Sequence, residues 1–359
     1  MHGSMAELIV NYSKDIVRGT LEVLERSALK NLVRPGMRVS LKPNLVVPKP
    51  PSSGATTHPE ILEGLIIYLQ ELGIRDLEII ESAGTMDNTK AAFRACGYDQ
   101  LSQKYGVPLY DLKDDKKIKR EVAGYRFEVC ARALETDFLI NLPVLKVHSQ
   151  TRLTCCLKNL KGCLSDAEKR RFHTLGLHRP IACLNKIIKT GFCLIDGICG
   201  DLSIELGGNP VTRNMLIAGQ DPLLLDSYCA GLIGFKTGEI DYLGFAAELG
   251  VGRLYDDSTV LEELNGANKP GLVRADPAAA RVARWIDEDQ ACSACYSALV
   301  YALKRLGGAP RGVSKIGIGQ GFRGKTGSLG CGECTRGFDR FVPGCPPTAA
   351  AIVDFLRRP

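Results

Sequence analysis

Apolar positions spaced for a helix run through residues 15–33 and stop at Pro35-Gly36; a short apolar run at 37–41 then leads into Lys42-Pro43-Asn44. The same unit recurs. Pro59 marks a helix start, helical spacing continues to residue 72, Gly73 ends it, and residues 76–80 form an apolar strand closing on Glu81-Ser82-Ala83-Gly84. Residues 88–95 and 99–105 read as short helices. Apolar runs at 138–142 and 192–195 flank a basic, helix-prone stretch, 215–218 is a further strand and 221–233 a further helix. Uninterrupted apolar strands alternating with helices predict an α/β fold, a mostly parallel sheet covered by helices on both faces. The polar, Gly- and Pro-bearing stretch 261–277 breaks this rhythm. It divides the chain into an α/β domain, 5–275, and a smaller C-terminal cysteine-rich module, 276–359.

Composition narrows the class. The 359 residues are 45% hydrophobic and 24% charged, as in ordinary globular proteins. No apolar run reaches the roughly 18 residues of a spanning helix, because 62–72 is interrupted by Glu63 and Gln70. Residues 1–4 read as a sequence appended ahead of Met5. The net charge of +6 contains no dense basic run, so nucleic acid is not an expected partner. Fourteen cysteines without a secretory signal point to reduced thiols in a cytoplasmic setting, some of them on a metal, rather than to a disulfide framework.

The last seventy residues contain Cys292-x-x-Cys295, Cys331-x-x-Cys334 and Cys345-Pro346-Pro347. A C-x-x-C turn folds its second thiol back beside the first, so one metal centre can bind both. Zinc ribbons also use two such turns, separated by roughly 15–20 residues. Here 35 residues intervene, including a helical pattern at 296–306. A Cys-Pro step closing a cysteine series is characteristic of [4Fe–4S] binding. Proline also suits the start of the helix expected at 348–356. Cys292, Cys295 and Cys345 each belong to a pattern that geometry explains; between Cys331 and Cys334 spacing does not choose.

A second constellation lies at the strand ends. Lys42 and Asn44 follow one strand, Lys146 and His148 another, and Glu81 and Asp196 each end an apolar run, where open α/β sheets bind ligands. Lys158, Asn159, Lys161, Arg170, Arg171 and His173 crowd the next stretch. These residues describe a pocket for a small anionic ligand, a carboxylate or phosphate, with Lys42, Lys146 and His148 as catalytic candidates and Asn44, His58, Lys158 and Asn159 as binding residues. The competing account is a solvated helix face with ordinary strand-end caps, and it is preferred for Arg170 and Arg171. Cys155 and Cys156, adjacent on a predicted helix, point apart and make a poor metal pair. Cys96, Cys130, Cys163, Cys183, Cys193, Cys199 and Cys229 mostly fall in apolar patterns as buried small hydrophobes. Gly319-x-Gly321-x-x-Gly324 matches a dinucleotide fingerprint but lacks the following helix, so its glycines are read as backbone that approaches the metal closely. Nucleophile-elbow, Walker and His-Glu-x-x-His motifs are absent.

Several short segments together resemble the family known as domain of unknown function 362: Leu41-Lys42-Pro43-Asn44, Thr57-His58-Pro59-Glu60, Glu81-Ser82-Ala83-Gly84, 141–148, 157–162 and Asp196-Gly197. Members often couple a shared α/β domain to an iron–sulfur segment. The resemblance implies that Gly332-Glu333-Cys334-Thr335 and Gly344-Cys345-Pro346-Pro347 supply the later cluster ligands, giving Cys292, Cys295, Cys334 and Cys345. It implies no substrate. Three functions follow as expectations: electron transfer between one [4Fe–4S] cluster and a small anionic ligand or redox partner protein; Lewis-acid catalysis of lyase type by a cluster with an open iron; and a metal that only staples the module.

Overall fold

The computed structural model describes residues 6–85, 87–310 and 312–358; the leader expected at residues 1–4 lies outside them. Eight strands form one sheet in the order Leu261–Leu264, Leu8–Tyr12, Pro210–Gly219, Phe192–Asp201, Phe138–Leu142, Arg38–Pro43, Asp76–Glu81, Leu109–Asp111. Five of its seven pairings are parallel; the two that involve Pro210–Gly219 are antiparallel. The fold is α/β with a mostly parallel sheet.

Consecutive residues of the central strands enter different cores, which is why these strands read as uninterrupted apolar runs. Ile140, Leu194 and Leu216 pack on one face with Leu24, Leu62 and Leu65 from the helices Ile16–Arg26 and Pro59–Glu71. Leu139, Ile195 and Ile217 pack on the other with Phe172, Leu184 and Leu224.

The stretch after residue 261 is more than a connection. Leu261–Leu264 pairs in parallel with Leu8–Asn11 and completes the sheet edge. Its acidic side chains stay near the surface, where Glu263 accepts from Tyr12 Oη at 3.0 Å.

The C-terminal module has its own parallel sheet, Ile286–Glu288, Ile316–Ile318, Leu329–Cys331 and Arg340–Val342 in that order. Helices Ser293–Leu306 and Ala349–Arg357 supply Leu299, Leu303, Ile352 and Val353 to a core with Ile316, Ile318 and Val342. Thr348 caps the last helix by accepting from Ala351 N at 3.1 Å. A loop of the larger unit reaches across: Ile204 joins the module's core, and Asp276 N and Ala278 N donate to Leu202 O and Ser203 O at 2.9 and 3.0 Å.

Candidate functional site: a cysteine-lined cavity opening on a lysine-lined cleft

All five C-terminal cysteines line one cavity of about 350 Å³, together with Arg170, Gln320, Arg323 and three glycines of positive φ, Gly319, Gly332 and Gly344. Cys292 is the N-cap of the helix Ser293–Leu306 and Cys295 lies in its first turn. The positive end of that helix therefore faces the cavity and favours thiolate there. Gln320 Nε2 donates to Cys292 Sγ at 3.6 Å, and Arg323 lines the cavity beside Cys334. Cys331 is 1% exposed and burial alone pushes its thiol up to about 12, whereas Cys345 is exposed and Cys334 half-buried.

Around one zinc ion, with Zn–S about 2.3 Å, tetrahedral sulfurs lie about 3.8 Å apart. Among the described residues, the one group of three metal-capable side chains with ligand atoms within 4.8 Å of one another is Cys155, Cys156 and Asp226. No three of the module's cysteines are that close. Thiols gathered on one cavity could bind a metal group, and Arg170 and Arg323 beside them would offset the negative charge that thiolates bring.

The Cys155–Cys156 grouping corrects the expectation that adjacent cysteines point apart. Cys155 has φ −158 and ψ −142, outside the helix Cys156–Asn159, so both thiols turn toward Asp226. The Asp226 carboxylate accepts from Cys156 N at 2.7 Å and Leu157 N at 3.1 Å and so caps that helix. Of the glycine fingerprint, Gly319 lines the cysteine cavity, and two of its glycines also have a packing role. A Cβ on Gly319 or Gly321 would come within 2.0 or 2.1 Å of Asp289, so packing against that residue requires both glycines.

The second space is a cleft of about 860 Å³ at the C-terminal ends of the parallel strands. Asn44, Glu81, Asp87, Lys146, His148, Lys158, Asn159, Lys161, Lys169, His173 and Glu205 are among the residues that line it, and the C-terminal module contributes Cys292, Ser293 and Ala294. Cys292 thus borders both spaces.

Asn44 holds the floor together: its Oδ1 accepts from Lys146 Nζ at 3.2 Å, and its Nδ2 donates to Asn159 Oδ1 at 3.0 Å. Asn159 in turn donates to Asn141 Oδ1 at 2.7 Å. Burial, followed by the neighbouring Lys158, lowers Lys146 to about 7; burial lowers Lys158 to about 8. Both lysines therefore change charge near neutrality.

Glu205 ties the cleft to the module. It accepts from Ser149 N at 3.0 Å, Ser149 Oγ and Ser297 Oγ, and stands 3.5 Å from His148 Nε2.

Three of the sequence candidates take different roles. Lys42 is fully buried and does not line the cleft; its Nζ lies 3.0 Å from Glu81 Oε2 and donates to Pro43 O at 3.1 Å. In that place it positions Glu81. His58 also lies outside the cleft: its backbone N–H and its Nδ1 both meet Asp196 Oδ2 at 2.8 Å. Burial opposes its charge, yet the Asp196 carboxylate raises its pKa, which marks a buried ion pair rather than a ligand contact. His148 does line the cleft, but its Nδ1 accepts from Gln150 N and Thr151 N at 3.1 and 3.3 Å, leaving the proton on Nε2 toward Glu205. Burial and the surrounding lysines push its pKa well down, so its imidazole is held neutral.

Glu205, Lys169 and Ser293 were not singled out from sequence, and Arg170, read as solvated, faces the cysteine cavity. Lys169 was legible: it stands four residues before His173 on one helix face. Glu205 carried no local signal.

All fourteen cysteines are unpaired, and among the described residues no helix is long and apolar enough to cross a membrane. The chain is 25% identical over 242 residues to Thylakoid-associated protein sll1697 of Synechocystis, covering 66% of this chain and 74% of that protein. It is similar to the lactate racemase apoprotein of Thermoanaerobacterium thermosaccharolyticum at 15% identity and a TM-score of 0.42, covering 67% of this chain; the chain spans 59% of that structure. The model of the family described as Domain of unknown function (DUF362) matches residues 39–231, more than half of the sequence, and the chain belongs to that family.

Proposed function

We propose that the protein is an iron–sulfur redox protein, in which a [4Fe–4S] cluster on Cys292, Cys295, Cys334 and Cys345 exchanges electrons with a small anion bound in the cleft. The observation carrying this reading is the position of Cys292, which is wall to both the cysteine cavity and the cleft. A bound cubane supplies one electron at a time at a potential tuned by hydrogen bonds and solvent exposure. The chain's own groups do the rest. Gln320 donates to a cavity sulfur, Arg323 places a positive charge beside Cys334, Lys146 and Lys158 hold or release protons near neutrality, and Asn44 and Asn159 fix the cleft floor. Four thiolates leave no open iron, which favours electron transfer over Lewis-acid chemistry. The exposed edge at Cys345, beside Arg323 and Arg336, gives an external redox partner access.

The test is purification without oxygen, iron and sulfide analysis, and electron paramagnetic resonance before and after reduction. About four irons per chain and a reversible one-electron signal are expected. A colourless protein holding one zinc per chain ends this reading. A signal shifted by cleft ligands supports contact across Cys292.

A further inference from the structure

Most charges around the cleft are already matched within the protein. Lys42 faces Glu81 at 3.0 Å; Lys113 and Lys169 share Asp166 at 3.0 and 3.7 Å. Lys169 also donates to Ser82 Oγ and to the Ser82 and Ala83 carbonyls at 2.6–3.1 Å. The Glu205 carboxylate is taken up by Ser149, Ser297 and His148.

Two lysines remain. Among the described residues neither Lys158 nor Lys161 has a carboxylate within the 4.0 Å of an ion pair; Lys161 Nζ lies 3.4 Å from His173 Nε2 and 5.6 Å from the centre of the Phe172 ring. They are three residues apart across the turn formed by Cys156–Asn159 and Leu160–Cys163, and both line the cleft. The spacing places them on one side. Burial and then the neighbouring Lys158 push Lys161 well below the ordinary lysine range, and Lys146 is bonded only to neutral acceptors, Asn44 Oδ1 and Ala55 O, so full charge on these groups requires an anion among them. His148 and His173 add no further positive charge, since burial and the lysines hold both neutral.

From this imbalance we infer that the ligand of the cleft is a small dianion, such as a dicarboxylate or a phosphate monoester, bound between Lys158 and Lys161 beside the Cys292 wall. A single carboxylate would leave one of the two charges unmatched. The inference rests on the cleft being the ligand site of the proposed function and deepens it by naming the ligand's charge.

The experiment is calorimetric titration of the full chain, purified without oxygen, with acetate, succinate and inorganic phosphate at equal ionic strength. Lys158→Gln, Lys161→Gln, their double variant and Lys158→Arg are compared, and thermal melts confirm that each folds. Succinate or phosphate binds at least about tenfold more tightly than acetate, and each Gln variant loses about tenfold in dianion affinity, the effect of one charged hydrogen bond. Lys158→Arg retains the preference. Equal affinity for acetate and the dianions, no binding of any of the three, or undiminished dianion binding by the double variant would overturn the inference. The two readings fail separately: an iron-free preparation that still prefers dianions keeps this one and ends the electron-transfer reading, while a redox-active preparation without the preference does the reverse.

Discussion

Replacing Glu81 by Gln tests whether Lys42 is structural. The side chains of Lys42 and Glu81 are 0% and 3% exposed and meet at 3.0 Å, and Glu81 also accepts from Ser82 N at 2.7 Å and Leu45 N at 3.3 Å. Glutamine keeps the shape but removes the charge, and its amide N–H₂ confronts other donors. Lys42 is then left with Pro43 O as its one remaining acceptor, in a site closed to water. Breaking a buried pair in this way costs about 3–5 kcal/mol, because an uncompensated charge stays behind. At about 2–4 °C per kcal/mol, the melting temperature falls by roughly 6–20 °C. Urea unfolding followed by circular dichroism reads the cost as a shifted midpoint at constant slope. Removing both charges, Lys42→Met with Glu81→Leu, recovers a large part of the loss, since only the Ser82 and Leu45 N–H groups remain unpaired. Stability of Glu81→Gln within about 1 kcal/mol of wild type, or a double variant as unstable as the sum of the singles, would refute the argument. Had Lys42 been catalytic, its replacement would spare folding and abolish turnover.

Gly162→Ala should be damaging although glycine has no special conformation there: an added Cβ lies 2.1 Å from Glu81 Oε1 and 2.7 Å from Lys42 Nζ, both locked, and the overpacking costs about 1–3 kcal/mol in the same unfolding assay. Cys334→Ser is expected to lose most of its iron and Cys331→Ser to keep it, because Cys331 sits in the module's apolar core; iron analysis with the opposite outcome would reassign the fourth ligand. Succinate affinity should fall as pH rises from about 6.5 to about 9. Lys146, at about 7 among Lys158, Glu205, Asp201 and Glu81, and Lys158, at about 8 facing Glu205, lose their protons over that span. Affinity that rises instead would place the relevant charge elsewhere.

The central strands were legible because burial on both faces leaves no polar alternation, as in Phe138–Leu142 and Phe192–Asp201. The edge strands were not. Leu8–Tyr12 carries Asn11, which is buried but satisfied by Gly19 O at 2.9 Å, and Leu261–Leu264 alternates poorly with two glutamates in four residues. The hairpin Lys117–Val122 with Tyr125–Cys130 was hidden by a polar first strand. At the site, the type and position of Asn44, Lys146, Lys158 and Asn159 sufficed to group them. What failed was pairing: the partners of Lys42 and His58 lie 39 and 138 residues away, and no local pattern distinguishes a neutralised cation from an available one.

The cleft has walls from both units, with Ser293 Oγ donating to Gln150 Oε1 at 2.7 Å and Gln150 Nε2 to Ala291 O at 2.9 Å. Filling it and seating the module are therefore one coupled equilibrium, and whatever occupant favours the closed arrangement must be favoured by it in equal measure. A ligand then acts as an adhesive between the two sheets: its arrival slows proteolytic cutting of the intervening stretch, and loosening the Glu205 hydroxyl contacts weakens its hold without touching any group that meets it.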